Sequence, residues 1–219
     1  MSQSAASSLP GETQFLALRK TAHLGQNLIV AGLSPQHGQL SFFIRGQHGA
    51  RGKFQYFDLF RLLQVQFRRS SGDLCYCDSA EISQDFGAIA QSYPEYQAGC
   101  WLAQFALGNC LPGLEIPRFF AALVVALQRL SERRLLREGV LTGVALVYLD
   151  EGGWLNDRPL SLQERAQCRL LLQMAAGGAM PALDPGNWQA LWEWSYFQLA
   201  QCDCRLPPWP GFSAPPENS

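Results

Sequence analysis

The sequence is poor in charged residues and contains no long apolar run. Only 16% of its 219 residues are Asp, Glu, Lys or Arg, against about 25% in an average soluble domain. The longest apolar segment, 119–127, is shorter than the roughly 18 residues of a membrane span, and Arg129 follows it closely. The first twelve residues lack the basic and apolar regions of a signal peptide. We therefore expect a cytoplasmic protein that has no membrane partner.

Motifs of the common enzyme classes are also missing. The sequence has no Walker A, GxSxG, HExxH or GxGxxG motif, and the glycine-rich loop 46–52 lacks the GK[ST] ending of a phosphate loop. The seven cysteines form two CxC pairs and no CxxC pair, so buried reduced thiols are favoured over a zinc site. We therefore predict a protein that is not an enzyme and that holds no metal and no cofactor.

The first third of the sequence is instead typical of a small β barrel. Segments that are apolar or that alternate between apolar and polar residues predict five strands. The signal SPQHG at 34–38 predicts a hairpin turn. Five short strands with a glycine-rich loop indicate a Greek-key barrel of the OB type, and an SH3-like barrel is the alternative. The predicted strands are 15–18, 27–31, 39–45, 62–67 and 74–82.

After Gln84 the pattern becomes helical. Pro117 suits the first turn of a helix, and Ser161 with Glu164 forms a capping-box pattern. The sequence therefore predicts an α+β fold, with an OB-type domain over 14–83 followed by an all-helical domain over 84–206. The short polar segment 1–13 and the proline-rich segment 207–219 are predicted to be disordered. The predicted helices are 93–110, 117–138, 140–151, 161–176 and 187–204.

Positive charge is concentrated in the predicted barrel. Between Arg19 and Arg69 there are eight cations and one acid, Asp58, which leaves the rest of the chain at −8. Such a surplus is typical of phosphate binding, and aromatic residues among cations are how OB folds hold single strands. In the alternative interpretation the aromatics form the barrel core. The interleaved aromatics are Phe42, Phe43, Phe54, Tyr56 and Phe57. The predicted DNA-binding residues are Arg19, Lys20, Arg45, Arg51, Lys53, Arg61, Arg68 and Arg69.

Five motifs follow one another through this region. They are FLALRK at 15–20, LIV at 28–30, HGQLSFFIRG at 37–46, FQYFDLF at 54–60 and LQVQF at 63–67. Their order resembles that of the RecO family of recombination mediators. The AEI segment at 80–82 is similar to the family's step from barrel to helices, and the similarity continues more weakly to about Arg205.

The resemblance implies an OB fold, a helical C-terminal domain and no catalytic activity. Proteins of this family bind single- and double-stranded DNA, anneal strands coated with single-strand-binding protein (SSB), and load RecA together with RecR in recombinational repair. The implied partners are therefore DNA, the C-terminal tail of SSB and RecR, and the implied location is the nucleoid. Arg45 matches the cation before the family's basic loop, Arg51 and Lys53 fall inside that loop, and Arg19 and Lys20 lie on the first strand.

The sequence departs from the family pattern at three points. Loop 46–53 has fewer cations, and no four-cysteine zinc module is present. The family's helical domain binds the acidic, aromatic tail of SSB in an apolar groove with basic residues, and that groove cannot be placed in register. Core packing is the alternative role for the aromatic candidates. The candidate residues for tail binding are Tyr96, Trp101, Phe105, Arg129, Arg133 and Arg137.

Three functional hypotheses follow. The first is a RecO-like mediator, for which affinity for DNA should fall steeply with salt. The second is a protein-interaction adaptor that keeps the OB fold and has lost DNA binding, which the acidic helical half and the cation-poor loop favour. The third, and the weakest, is a catalytic or metal-dependent OB protein.

Overall fold

The computed structural model describes residues 11–46, 56–70, 74–133, 136–155 and 161–208. The chain divides into two compact units. The barrel unit comprises 1–85 and 111–115, and the helical unit comprises 86–110 and 116–219. Within the described ranges, no helix combines the length and the apolar character needed to cross a membrane.

The barrel unit is a closed five-stranded barrel. Its strands follow one another in the order β1-β2-β3-β5-β4. Strands β3 and β5 are parallel and the other neighbours are antiparallel. This barrel, followed by helices, confirms the predicted α+β fold with an OB-type barrel. The strands are β1 (Gly11–His23), β2 (Asn27–Ser34), β3 (Gly38–Ile44), β4 (Arg61–Arg69) and β5 (Leu74–Asp85).

The interior of the barrel is built from the residues that alternate inward on each strand. Four phenylalanines form its centre, and the rings of Phe15 and Phe42 meet edge to face at 4.8 Å. Phe42 and Phe57 are completely buried, so for these two the alternative interpretation of the aromatics, core packing, is correct. Phe67 completes the cluster, with its ring centroid 5.7 Å from that of Phe42.

Strand β1 begins earlier than the sequence predicts. Gly11 already pairs with Phe67 of β4, and Thr13 is buried, with its hydroxyl 2.7 Å from both Ser34 Oγ and Gln36 Oε1. The prediction of disorder is therefore wrong for 11–13, because a polar segment gains its order here from closing the barrel. Residues 1–10 lie outside the described part of the chain.

The segment 111–115 belongs to the barrel unit, although the sequence places it among the helices. It lies against the β2–β3 hairpin, where Pro112 bridges Gly38. Gln39 donates to the Leu111 carbonyl at 3.3 Å, and Gly113 donates to the His37 carbonyl at 2.8 Å. The sequence could not predict these backbone hydrogen bonds, because the segment has no apolar periodicity of its own.

Strand β2 approaches β1 so closely at Gly32 that only glycine fits there. A Cβ atom on Gly32 would lie 2.0 Å from the Leu16 carbonyl oxygen and 2.7 Å from the Phe15 ring. Gly32→Ala should therefore lower the free energy of unfolding by about 1–3 kcal/mol, which is typical of overpacking. Urea denaturation measures this change. As a control, Gly108→Ala places a Cβ 3.5 Å from its nearest neighbour and should not destabilise the protein; equal losses for both variants would contradict this account.

In the described part of the helical unit, five helices follow a short 3₁₀ turn (Gly87–Gln91). Helix α3 is buried over most of its length and packs against α2, α4 and α5. The predicted capping box is confirmed, since Glu164 N–H donates to Ser161 Oγ and Ser161 N–H donates to the Glu164 carboxylate. The helices are α1 (Tyr93–Asn109), α2 (Pro117–Glu132), α3 (Arg137–Glu151), α4 (Leu162–Ala175) and α5 (Pro185–Gln201).

The single helix predicted over 117–138 is wrong. Helix α2 ends at Glu132, and Arg133 adopts a left-handed conformation with φ of 54°. The Arg133 N–H bonds to the carbonyls of Arg129 and Leu130, which closes the helix end. The sequence gives no warning of this break, because left-handed caps are usually glycine.

Candidate nucleic-acid interface

A row of side chains crosses the outer surface of the barrel. Strand register aligns Thr21 of β1 with Ile29, Ile29 with Phe43, Phe43 with Tyr76, and Tyr76 with Arg68. The neighbours Phe42 and Cys75 belong to the interior cluster. Because successive side chains on a strand point to opposite faces, Phe43 and Tyr76 point outward.

The aromatic rings of this row contact one another. Phe43 and Tyr76 meet edge to face, with centroids 6.1 Å apart. On the other side of Phe43, the His23 ring meets it edge to face at 5.8 Å. Tyr76 is 42% exposed and Phe43 is half-buried. The three residues form an outward aromatic surface, here called the aromatic row (His23, Phe43 and Tyr76).

Two arginines flank the aromatic row. Arg45 lies two residues after Phe43, immediately beyond the end of β3. On the other side, Arg19 of β1 pairs with Ala31 of β2, which pairs with Ser41, two residues before Phe43 on β3. Both arginines are exposed. Within the described ranges, neither has an acidic side chain within ion-pair distance. Their guanidinium groups are therefore available for phosphate.

Three other predicted DNA-binding cations are held in ion pairs. Lys20 Nζ lies 3.3 Å from Asp58 and Arg61 Nε lies 2.8 Å from Asp85. Arg68 binds Asp78 with two parallel bonds, Nε to Oδ2 at 2.9 Å and Nη2 to Oδ1 at 2.8 Å. The bond to Asp78 raises the pKa of the Arg68 guanidinium. These pairs neutralise much of the positive charge that the prediction assigns to DNA.

Arg69 stands at the opposite end of the hairpin from Arg45. Its Nη2 lies 3.4 Å from His37 Nδ1. Burial lowers the pKa of His37, Arg69 lowers it further, and Glu115 opposes the shift. Arg69 is thus part of a polar cluster at the hairpin turn and not of the flanks of the aromatic row. Arg51, Lys53 and Phe54 lie outside the described residues.

The net charge of the barrel unit is small. It contains eight Lys and Arg and seven Asp and Glu, a net charge of +1. The surplus of +7 between Arg19 and Arg69 is correct as a count, but the carboxylates of Asp78 and Asp85 come from β5, outside that window. Folding brings them back to Arg68 and Arg61.

Sequence reasoning missed His23 and Tyr76. A signal for Tyr76 was present, because Cys75 and Cys77 share one face of a strand and Tyr76 must then point to the other.

The seven cysteines are free thiols, and burial raises the pKa of Cys110 to about 12 and that of Cys204 to about 11. Over the described residues, no group of three or more potential ligands is placed to hold a metal ion.

The residues predicted to bind a partner tail do not form one groove. Trp101 and Phe105 are buried and stacked on each other at 5.2 Å, which corrects their expected role as groove walls in favour of core packing. Arg129 donates to the Gly178 carbonyl at 2.6 Å, whereas Arg133 donates to Ala88 and Arg137 pairs with Glu95 at 3.8 Å. The exposed Tyr96 lies next to Glu95 at the start of α1.

An apolar groove does occur elsewhere in the helical unit, between α4 and α5. Its volume is about 470 Å³. Leu170 and Leu183, which line it, are 55% and 36% exposed. A smaller hollow of about 160 Å³ shares Leu171 and Trp194 with it. The complete lining of the groove is Gln167, Leu170, Leu171, Pro181, Leu183, Asn187, Ala190, Leu191 and Trp194.

Comparison with protein-family models finds no match, and comparison with curated proteins finds no similar sequence. The resemblance to the RecO family therefore stays a prediction that depends on the motifs in the barrel.

Proposed function

We propose that this chain is a non-enzymatic DNA-binding protein of the RecO type, which holds DNA on the outer surface of β2, β3 and β5. The observation that carries the proposal is the aromatic row with Arg19 and Arg45 on its two sides. OB folds bind oligonucleotides on the face of their second and third strands, and Phe43 occupies that face. Aromatic side chains with flanking cations are the usual means of holding a nucleic-acid strand.

The proposed role extends to recombinational repair. In this role the helical unit binds the acidic, aromatic tail of SSB, and RecR joins the complex before RecA is loaded. The α4–α5 groove supports a tail site, since it is apolar and open to solvent. Docking of the tail raises the effective concentration of the barrel near coated DNA. Such a protein works in the cytoplasm, at the nucleoid.

Fluorescence anisotropy tests the proposal with a labelled single-stranded oligonucleotide and a labelled peptide of the SSB tail. The mediator role predicts that both bind, at separate sites that do not compete. Absence of DNA binding at low salt would overturn it.

The adaptor hypothesis is the second candidate. The barrel unit's net charge of +1 and the α4–α5 groove favour it, because a nearly neutral barrel attracts phosphate weakly while the groove offers a peptide site. Binding of the tail peptide without any DNA binding would establish the adaptor in place of the mediator.

The groove gives a prediction of its own. Leu170→Asp should weaken binding of the tail peptide by at least tenfold, since it places a carboxylate in an apolar groove that would hold an acidic ligand. Because Leu170 is exposed, the free energy of unfolding should change by less than about 0.5 kcal/mol. Isothermal titration calorimetry measures the affinity.

Leu162→Asp is the matched control for this experiment. Leu162 is 88% exposed on the same helix and does not line the groove. Peptide affinity should be unchanged in this variant, and equal losses for the two variants would place the peptide elsewhere.

A further inference from the structure

We infer that the barrel selects unpaired bases over duplex DNA, and that it holds them mainly by stacking on Tyr76 and Phe43. The inference rests on the proposed function, since it concerns the same surface, and it adds the class of nucleic acid that the surface accepts.

The first argument is the position of the rings. Tyr76 is 42% exposed although its strand neighbours Cys75 and Cys77 are buried, so its ring stands on the outer surface. Phe43 supports it edge to face at 6.1 Å, and His23 supports Phe43 in turn at 5.8 Å. Each ring is thus held in place by its neighbour. Stacking requires a base face that no other base covers, and only an unpaired, unstacked strand offers one.

The second argument is the small number of available cations. Duplex DNA carries one negative charge per about 1.7 Å of its axis. Of the six predicted DNA-binding cations in the described ranges, Lys20, Arg61 and Arg68 are paired with carboxylates. Among these six described cations, only Arg19 and Arg45 flank the aromatic row. Two guanidinium groups match a short stretch of single strand and fall far short of a duplex.

The third argument is the ion pair at one end of the row. Asp78 lies two residues after Tyr76 on β5, and its carboxylate is occupied by Arg68 on β4. This neutral ion pair offers no attraction to phosphate where the row ends. Single-stranded DNA therefore makes its electrostatic contacts on the β1 and β3 sides of the rings. Stacking on the rings supplies the remaining binding energy.

The experiment compares a single-stranded oligonucleotide with a duplex of the same length over a series of salt concentrations, using the full chain. Single-stranded affinity should exceed duplex affinity by at least tenfold. Each phosphate contact contributes about −0.7 to the slope of log affinity against log salt for single strands. The number of phosphate contacts is at most four, if Arg51 and Lys53 bind as well as Arg19 and Arg45. We therefore predict a slope no steeper than about −3. This slope is shallower than the steep salt dependence expected from the sequence.

Variants of Tyr76 test the stacking directly. Tyr76→Ala should weaken single-strand binding by about tenfold or more, whereas Tyr76→Phe should bind like the unaltered protein because stacking needs the ring and not the hydroxyl. Tyr93→Ala is the matched control, since Tyr93 is 74% exposed in the helical unit, and its affinity should not change. Thermal melting of all three variants checks that the fold is intact.

The possible failures are distinguishable. Equal affinity for duplex and single strand, or a salt slope clearly steeper than about −3 for the single strand, would overturn the inference and leave DNA binding in place. Unchanged affinity in Tyr76→Ala would also overturn it. Absence of binding to any nucleic acid would overturn both the inference and the proposed function.

Discussion

Phe42→Ala should lower the free energy of unfolding of the barrel by about 3–5 kcal/mol, the cost of removing a large aromatic side chain from a packed core. Phe42 is completely buried, and its ring contacts those of Phe15, Phe57 and Phe67 at centroid distances of 4.8 to 5.9 Å. Removing it leaves a cavity between the three remaining rings, which lose their contacts with Phe42.

Hydrogen exchange of the β2 and β3 amides measures this change locally. All six tryptophans lie outside the barrel unit, so their fluorescence follows the helical unit separately. Phe43→Ala is the matched control, because Phe43 is the next residue and points outward. It should cost about 1 kcal/mol or less in stability and still reduce DNA affinity. If the two variants had equal stability, the inward and outward assignment of β3 would be wrong.

Reversing the charge of both flanking arginines should weaken binding of a single-stranded oligonucleotide by at least about 100-fold. In the double variant Arg19→Glu with Arg45→Glu, two charge-assisted hydrogen bonds are lost, each worth roughly 1.5–3 kcal/mol, and a tenfold change in affinity corresponds to about 1.4 kcal/mol. Both residues are exposed, so the fold should be retained. Anisotropy at low salt measures the affinity.

The control for this double variant is Arg165→Glu with Arg169→Glu. These arginines are exposed on α4 in the helical unit, and their reversal changes the net charge of the protein by the same amount. DNA affinity should change by less than about threefold, since neither arginine belongs to the barrel surface that is proposed to hold DNA. Similar losses in the two double variants would show that net charge, and not the barrel surface, controls binding.

The strands of the barrel could be predicted because their inward residues repeat with a period of two. The pattern LLQVQF, for example, places Leu63, Val65 and Phe67 inside, and the structure buries all three. The turn between β2 and β3 was likewise predicted, from the signal at 34–38. What local patterns could not give was the pairing of Gly11 with Phe67, because that contact depends on closing the barrel over more than 50 residues of chain.

The candidate site was predicted less completely, and the reason is again the distance between partners along the chain. A count of charges over a window of sequence assigns Arg61 and Arg68 to a basic surface. Their carboxylate partners Asp85 and Asp78 come from a later strand, so the count includes the cations and omits the acids. Arg19 and Arg45 are exposed, but nothing in the sequence separated them from the paired cations.

In the helical unit, apolar spacing identifies helices but not the neighbours that cover them. Trp101 and Phe105 are one turn apart and have the spacing of a groove wall, yet α5 covers Trp101 with Trp192 at 5.0 Å. Leu170 and Leu183 have no such cover, and the α4–α5 groove forms there instead. The two sets of residues are equally apolar, so the packing of the helices alone decides which set is exposed.

Photo-crosslinking of a single-stranded oligonucleotide, with the crosslinked peptides identified by mass spectrometry, tests the central claim most directly. The claim is that DNA lies on the outer surface of β3 and β5. The account predicts crosslinks at Phe43 and Tyr76 that disappear when unlabelled single strand is added in excess. Crosslinks confined to α1–α5, with none on the barrel, would contradict it.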